Sequence, residues 1–69
     1  MPRIHVVRTG ETLSALALRF YGDELHADPV EWKKAYTALA RFNGVRDPAL
    51  IFTGQALSIL DTLDALYER

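Results

Sequence analysis

The sequence predicts an α+β domain in the order strand, helix, helix, strand. A two-stranded antiparallel sheet carries two helices packed on one face, and a short C-terminal helix follows. Three observations lead there. Short alternating runs rich in β-branched or apolar residues stand near the two ends, at 4–7 and 56–59. Between them lie two stretches with apolar residues at helical spacing, each introduced by a capping residue. Thr9-Gly10, Asn43-Gly44, Asp47-Pro48 and Thr53-Gly54 supply turn chemistry at the joints.

Residues 3–8 form the first strand, with Ile4, Val6 and Arg8 on one side and His5 and Val7 on the other. The first helix starts near Thr12, whose hydroxyl can cap a free N–H, and carries Leu13, Leu16, Ala17 and Phe20 on one face. Arg19 stands towards its C-terminal end, where a cation is favoured. Gly22 suits a left-handed cap, which leaves residues 23–28 as a polar loop. Asp28-Pro29-Val30-Glu31 opens the second helix, with Asp at the cap, Pro at the first helical position and Glu at the third. Trp32, Ala35, Tyr36, Leu39 and Phe42 make its apolar stripe. Glu31, Lys34, Ala38 and Arg41 face the other way, Glu31 and Lys34 being spaced for an ion pair. Asn43-Gly44 stops this helix, residues 44–55 form a loop with two turns, and Ala56–Ile59 alternates as the second strand. Strands at opposite ends of a chain close most simply by antiparallel pairing. Asp61-Thr62 then offers another cap, and Leu63, Leu66 and Tyr67 share a face. So short a helix is marginal alone and has to dock on something. The chain thus divides into a domain at 1–60 and an amphipathic helical extension at 61–69.

Composition bounds the function. A chain of 69 residues holds one domain, and domains of this size bury only roughly 60% of their unfolded surface, leaving little material for a large catalytic cavity. Cysteine is absent, so disulfides, thiolate metal sites and thiol nucleophiles are excluded. The net charge is −1 and the charges are mixed along the chain, so no basic footprint for nucleic acid exists. No apolar run approaches the roughly 18 residues of a membrane span. The start, Met1-Pro2-Arg3 leading directly into Ile4, does not resemble a signal peptide, and synthesis for the cytoplasm is expected. His5 and His26 lack ligand spacing, so no metal or other cofactor is expected. Ser14 and Ser58 have no histidine placed by a motif, and no catalytic residue is expected: the chain reads as a non-enzyme.

Three patches carry a family resemblance. Val7-Arg8-Thr9-Gly10-Glu11-Thr12-Leu13, followed by Leu16-Ala17, is similar to the opening of a LysM domain. Asn43 stands where that family has Asn after its second helix. Asp47 to Ile59, with Ile51-Phe52-Thr53-Gly54-Gln55-Ala56-Leu57-Ser58-Ile59, resembles the closing segment. Glu11 replaces the family's Asp, Thr53 and Leu60 stand where Pro is common, and the stretch between the helices is longer than usual. Phe20-Tyr21-Gly22-Asp23 followed by Trp32 resembles a subgroup found in phage tails and contractile injection machines, and also in bacterial cytoplasmic LysM proteins.

The resemblance implies a groove for N-acetylglucosamine polymers between two loops. It would comprise Gly10, Glu11, Thr12 and Leu13 on one side and Pro48, Ala49, Leu50 and Ile51 on the other. Leu13 and Ile51 would form an apolar wall. Each residue also has a plain structural role open to it: a turn for Gly10, a cap for Thr12, the core for Leu13 and Ile51. Phe52 is the one aromatic residue in either loop motif, a thin basis for sugar stacking. Glu11 and Asp47 could approach each other as a carboxylate pair, although cap and turn roles account for both. Trp32 could anchor a partner, but its place on the apolar stripe suits the core better. Two functions follow. One is a docking module of a phage tail or contractile injection baseplate, assembled without export into a virion or injection particle. It would hold larger tail or baseplate proteins through Leu63, Leu66 and Tyr67. The alternative is a module that binds peptidoglycan or chitin.

Overall fold

Pairing of the two ends of the chain organises the structure, a computed structural model that describes residues 3–68. The outermost ends of the expected domain and extension, Met1, Pro2 and Arg69, lie outside the described residues. β1 (Arg3–Val6) runs antiparallel to β2 (Ala56–Ile59) in a register from Arg3↔Ile59 to Val6↔Ala56. The first strand is two residues shorter than its sequence suggests. Beyond Val6 the ladder distorts: Val7 N–H donates to the Gln55 carbonyl at 2.9 Å, while Gly54 N–H donates to the Val7 carbonyl at 2.7 Å. Alternation decides the faces. Val7, Leu57 and Ile59 point into the core, and Ile4 and Val6 stay exposed on the outer side.

α1 (Leu13–Leu25) begins as expected, with Thr12 Oγ1 accepting from Ala15 N–H. Its end does not fall at Gly22. The helix runs on by three residues, because Leu25 lies one turn beyond Tyr21 on the same face and both are buried. His26 and Ala27 then take the left-handed turn, at φ 50° and 57°. Half of the stretch that looked like a loop, residues 23–25, is therefore helix, which absorbs part of the extra length between the helices. Arg19 consequently sits in mid-helix, over the Phe20 ring and 3.8 Å from the Glu11 carboxylate.

α2 (Pro29–Phe42) starts with Asp28 Oδ1 accepting from Val30 N–H at 2.9 Å. The Asp28 N–H, which a capping-box Glu31 would take, instead donates to the Leu25 carbonyl. Ala35, Leu39 and Ala40 are its buried positions. Trp32 resolves as a core-flanking residue: half-buried, edge-on to Tyr36, with its indole N–H donating to the Ser14 carbonyl at 2.8 Å. Both helices pack on the inner face of the sheet and on each other.

α3 (Leu63–Tyr67) corrects a sequence expectation. Leu63 and Leu66, read as contacts for a partner, are buried in this domain's own core beside α2. A five-residue helix cannot stand alone, so its apolar side closes the core from which β2 emerges. Three bonds fix it there. Thr62 Oγ1 caps Ala65 N–H, Glu24 on α1 accepts from Leu63 N–H at 3.1 Å, and the buried Tyr21 hydroxyl donates to the Leu60 carbonyl at 2.7 Å. Tyr67 is half-buried, with Lys34 Nζ 4.6 Å from its ring centroid. Residues 61–68 thus belong to the same folded unit as the rest.

Candidate functional site

The two loops singled out by the sequence are joined at their base. The Val7–Gly54 and Val7–Gln55 hydrogen bonds bring the segment after β1 against the segment before β2. Each loop is also stiffened from within.

In the first loop, Glu11 N–H donates to the Arg8 carbonyl at 3.1 Å. The Glu11 carboxylate folds back to accept from Arg8 N–H at 2.6 Å and is bonded to His5 Nε2 at 2.8 Å. The Arg8 amide bond above all, then the bond to His5, holds the Glu11 carboxyl below the usual glutamate value. The His5 ring stacks edge-on against Phe20. Gly10 takes φ +85°, a conformation that costs a side-chain-bearing residue but not glycine.

In the second loop, Asp47 Oδ1 accepts from Ala49 N–H at 3.0 Å, and its carbonyl accepts from Leu50 N–H at 2.8 Å. Pro48 occupies the second position of that turn, where its fixed φ is favoured. A second turn follows, closed by Gln55 N–H to the Phe52 carbonyl at 3.0 Å. The Gln55 side-chain oxygen accepts from Phe52 N–H at 2.9 Å. Gly54, at φ +89°, holds the third position of this turn, as a type II geometry demands.

Asn43 locks the whole loop to the sheet. Its Oδ1 accepts from Ser58 N–H at 2.7 Å, and its Nδ2 donates to the Ser58 carbonyl at 3.1 Å and to the Leu39 carbonyl at 2.9 Å. The side-chain amide thereby imitates a neighbouring strand at Ser58. The sequence marked Asn43 as part of a helix stop and by resemblance; the structure adds this clasp.

The expected site residues divide by exposure. Gly10, Thr12, Ala49 and Leu50 are exposed, and Glu11, Pro48 and Ile51 are half-buried. Leu13 has no exposed surface, so it cannot form the apolar wall of a groove; its place is in the core, beneath the loop. Ile51 packs against that core from one side. Glu11 and Asp47 each serve their own loop, Glu11 bonded to Arg8 and His5 and Asp47 to Ala49. Phe52, which sequence reasoning set aside, is 69% exposed, and Leu50 is 60% exposed. Both are large apolar side chains held outward by turns that the chain has stiffened. The sequence signal for them was their position between the two turn motifs. Of the four serine and histidine positions weighed for chemistry, Ser14 and Ser58 give backbone groups to Trp32 and Asn43, His5 pairs with Glu11, and His26 forms the turn after α1. Among the described residues no group of three acidic or histidine side chains is placed to hold a metal ion.

A βααβ module with two braced loops that expose backbone and small apolar surface defines a class of small recognition domains. The LysM domain family model matches residues 5–60, and the chain belongs to that family. It is 43% identical over 61 residues to Esterase Rv1288 and, to the same degree, to Esterase MT1326, both of Mycobacterium tuberculosis, from strains H37Rv and CDC 1551. The match takes in 88% of this chain but only 11% of either relative, so the chain spans about a tenth of the length of the curated relatives it matches. No solved structure matches it. No helix among the described residues is long and apolar enough to cross a membrane.

Proposed function

We propose that this chain is a non-catalytic carbohydrate-binding module for polymers of N-acetylglucosamine, such as peptidoglycan or chitin. Membership of the LysM family carries this reading, and the outward display of Leu50 and Phe52 on a braced loop supports it. Gly10, Glu11 and Thr12 form one side of the site through their backbone groups. Pro48, Ala49, Leu50 and Ile51 form the other, extended by Phe52. Backbone N–H and C=O groups suit acetamide and hydroxyl groups, and the apolar side chains suit the C–H face of the sugar ring and its acetyl methyl. Bracing lowers the ordering cost of binding. A longer protein bearing such a module would be delivered to a glycan surface by it.

The docking reading loses the contact it assigned to Leu63 and Leu66, because both are spent in the core. Nothing in the family or the relatives favours a phage tail or baseplate. The test is titration of the ¹⁵N-labelled domain with chitin oligomers and muropeptides. Saturable shifts at residues 10–12 and 48–52 are expected, with weaker binding by Phe52→Ala at unchanged stability. Silence in both segments at millimolar sugar sinks the proposal.

A further inference from the structure

The outer face of α2 presents a second feature that shares no residue with the loops. An open groove of about 1160 Å³ runs along α2 and is walled on its other side by α3. Val30, Ala38, Phe42 and Tyr67 give it apolar surface. Among the described lining residues the charged ones are Lys33, Lys34 and Arg41, with Glu31 and Glu24 near enough to Tyr67 to act on its phenol, and the chain as a whole carries a net charge of −1. Lys33, Thr37 and Arg41 recur every four residues, so they form one stripe along the helix. The eight steps from Lys33 to Arg41 span about 12 Å of helix axis.

We propose that this groove receives an acidic amphipathic helix of a partner protein. The chemistry narrows the occupant to that form. Both walls are helices, so the groove offers no strand edge for an extended peptide to pair with. A guest lying there has to satisfy its own backbone hydrogen bonds, as a helix does. A neutral sugar needs donors and acceptors together, whereas three cations dominate the described lining and Thr37 is its one half-exposed hydroxyl. An acyl chain would lie half in water, because the groove is open along its length. Charge complementarity sets the partner's pattern: carboxylates seven or eight residues apart, facing Lys33 and Arg41, with apolar residues at helical spacing between them facing Ala38 and Phe42. Lys34, held over the Tyr67 ring, adds positive potential at the α3 wall.

The test uses the whole chain, ¹⁵N-labelled, and a synthetic helical peptide the length of α2 that carries leucines on one face flanked by glutamates two turns apart. Saturable shifts at Lys33, Thr37, Ala38, Arg41 and Phe42 are expected. Binding should weaken steeply with salt, and by about tenfold or more in the K33E/R41E variant, whose side chains are exposed and leave the core untouched. The same peptide with lysine for glutamate should not bind. Shifts that map elsewhere, affinity indifferent to salt, or equal binding of the charge-reversed peptide overturn the proposal without touching the glycan reading. So does a domain that ignores the peptide but sediments with phosphatidylglycerol vesicles through Lys33 and Arg41, which would make this face a membrane contact.

Discussion

Replacing Asn43 by alanine tests the clasp that fixes the long loop to the sheet. The substitution removes three hydrogen bonds: Oδ1 from Ser58 N–H, and Nδ2 to the carbonyls of Ser58 and Leu39. Each such bond is worth about 1 kcal/mol net, and Ser58 is half-buried, so its N–H and carbonyl regain water only in part. The Leu39 carbonyl keeps the Asn43 backbone N–H as a donor at 3.2 Å, which lowers the loss there. The sum is a loss of about 2 kcal/mol, against a total stability of roughly 3 to 10 kcal/mol for a domain of this length. The melting temperature should fall by about 8 to 16 °C. Urea unfolding monitored by circular dichroism measures the loss, with an unchanged slope, and hydrogen exchange at the Ser58 amide should lose protection selectively. Asn43→Asp sharpens the test. It keeps the acceptor for Ser58 N–H but turns a carboxylate oxygen towards two carbonyls, so at neutral pH it should be at least as damaging, with partial recovery in acid as protonation restores a donor. An alanine variant within about 0.5 kcal/mol of the parent, the scatter typical of neutral surface sites, would show that the clasp holds nothing.

Leu66→Ala should cost about 2 to 4 kcal/mol in urea unfolding, as a core leucine does; a neutral result would mean that α3 does not cap the core. The two buried tyrosine hydroxyls should behave oppositely. Tyr21→Phe forfeits the bond to the Leu60 carbonyl and should lose about 1 kcal/mol. Tyr67→Phe removes a buried hydroxyl without a hydrogen-bond partner among the described residues and should be neutral or stabilising by up to about 1 kcal/mol, read by the same unfolding curves. The Glu11 carboxyl, held below its ordinary value of 4.5, binds its proton later than the unfolded chain does as the pH falls. Its contribution is therefore fully present above pH 4.5 and is lost as the pH drops through the folded value, and Glu11→Gln should flatten that part of the acid limb. Burial raises the phenols of Tyr21 and Tyr67, so stability should fall again as the pH climbs above 10, less so in the two phenylalanine variants.

Local chemistry made most of the fold legible. Thr12, Asp28 and Thr62 cap the helices they introduce, and Ala56–Ile59 pairs with the opposite end of the chain. Errors arose where tertiary packing overrode a local signal. Gly22 is a strong stop on propensity alone, yet one more turn buries Leu25, and that burial outweighs the cost of a glycine in the helix. Leu63 and Leu66 looked available because a sequence cannot show which surface a nine-residue tail will meet. The loop motifs were legible as motifs, but the division between Leu13 in the core and Phe52 in solvent depends on turn geometry set by Gly10 and Gly54. The sequence sets Lys34 and Arg41 with Glu31 on the face of α2 away from its apolar stripe and does not single out Lys33; only the position of α3 makes this side of α2 one wall of a groove.

The sheet joins residues about fifty positions apart, and that has a temporal consequence. Until β2 has been made, β1 has no partner, and the helical hairpin of α1 and α2 leaves Leu13, Leu16 and Leu39 without their cover. A chain that lacks the closing segment therefore lacks both its sheet and the cover of its core. From Ser58 onward that segment ties back to every earlier element, with Ser58 on Asn43, Leu60 on the Tyr21 hydroxyl and Leu63 on Glu24.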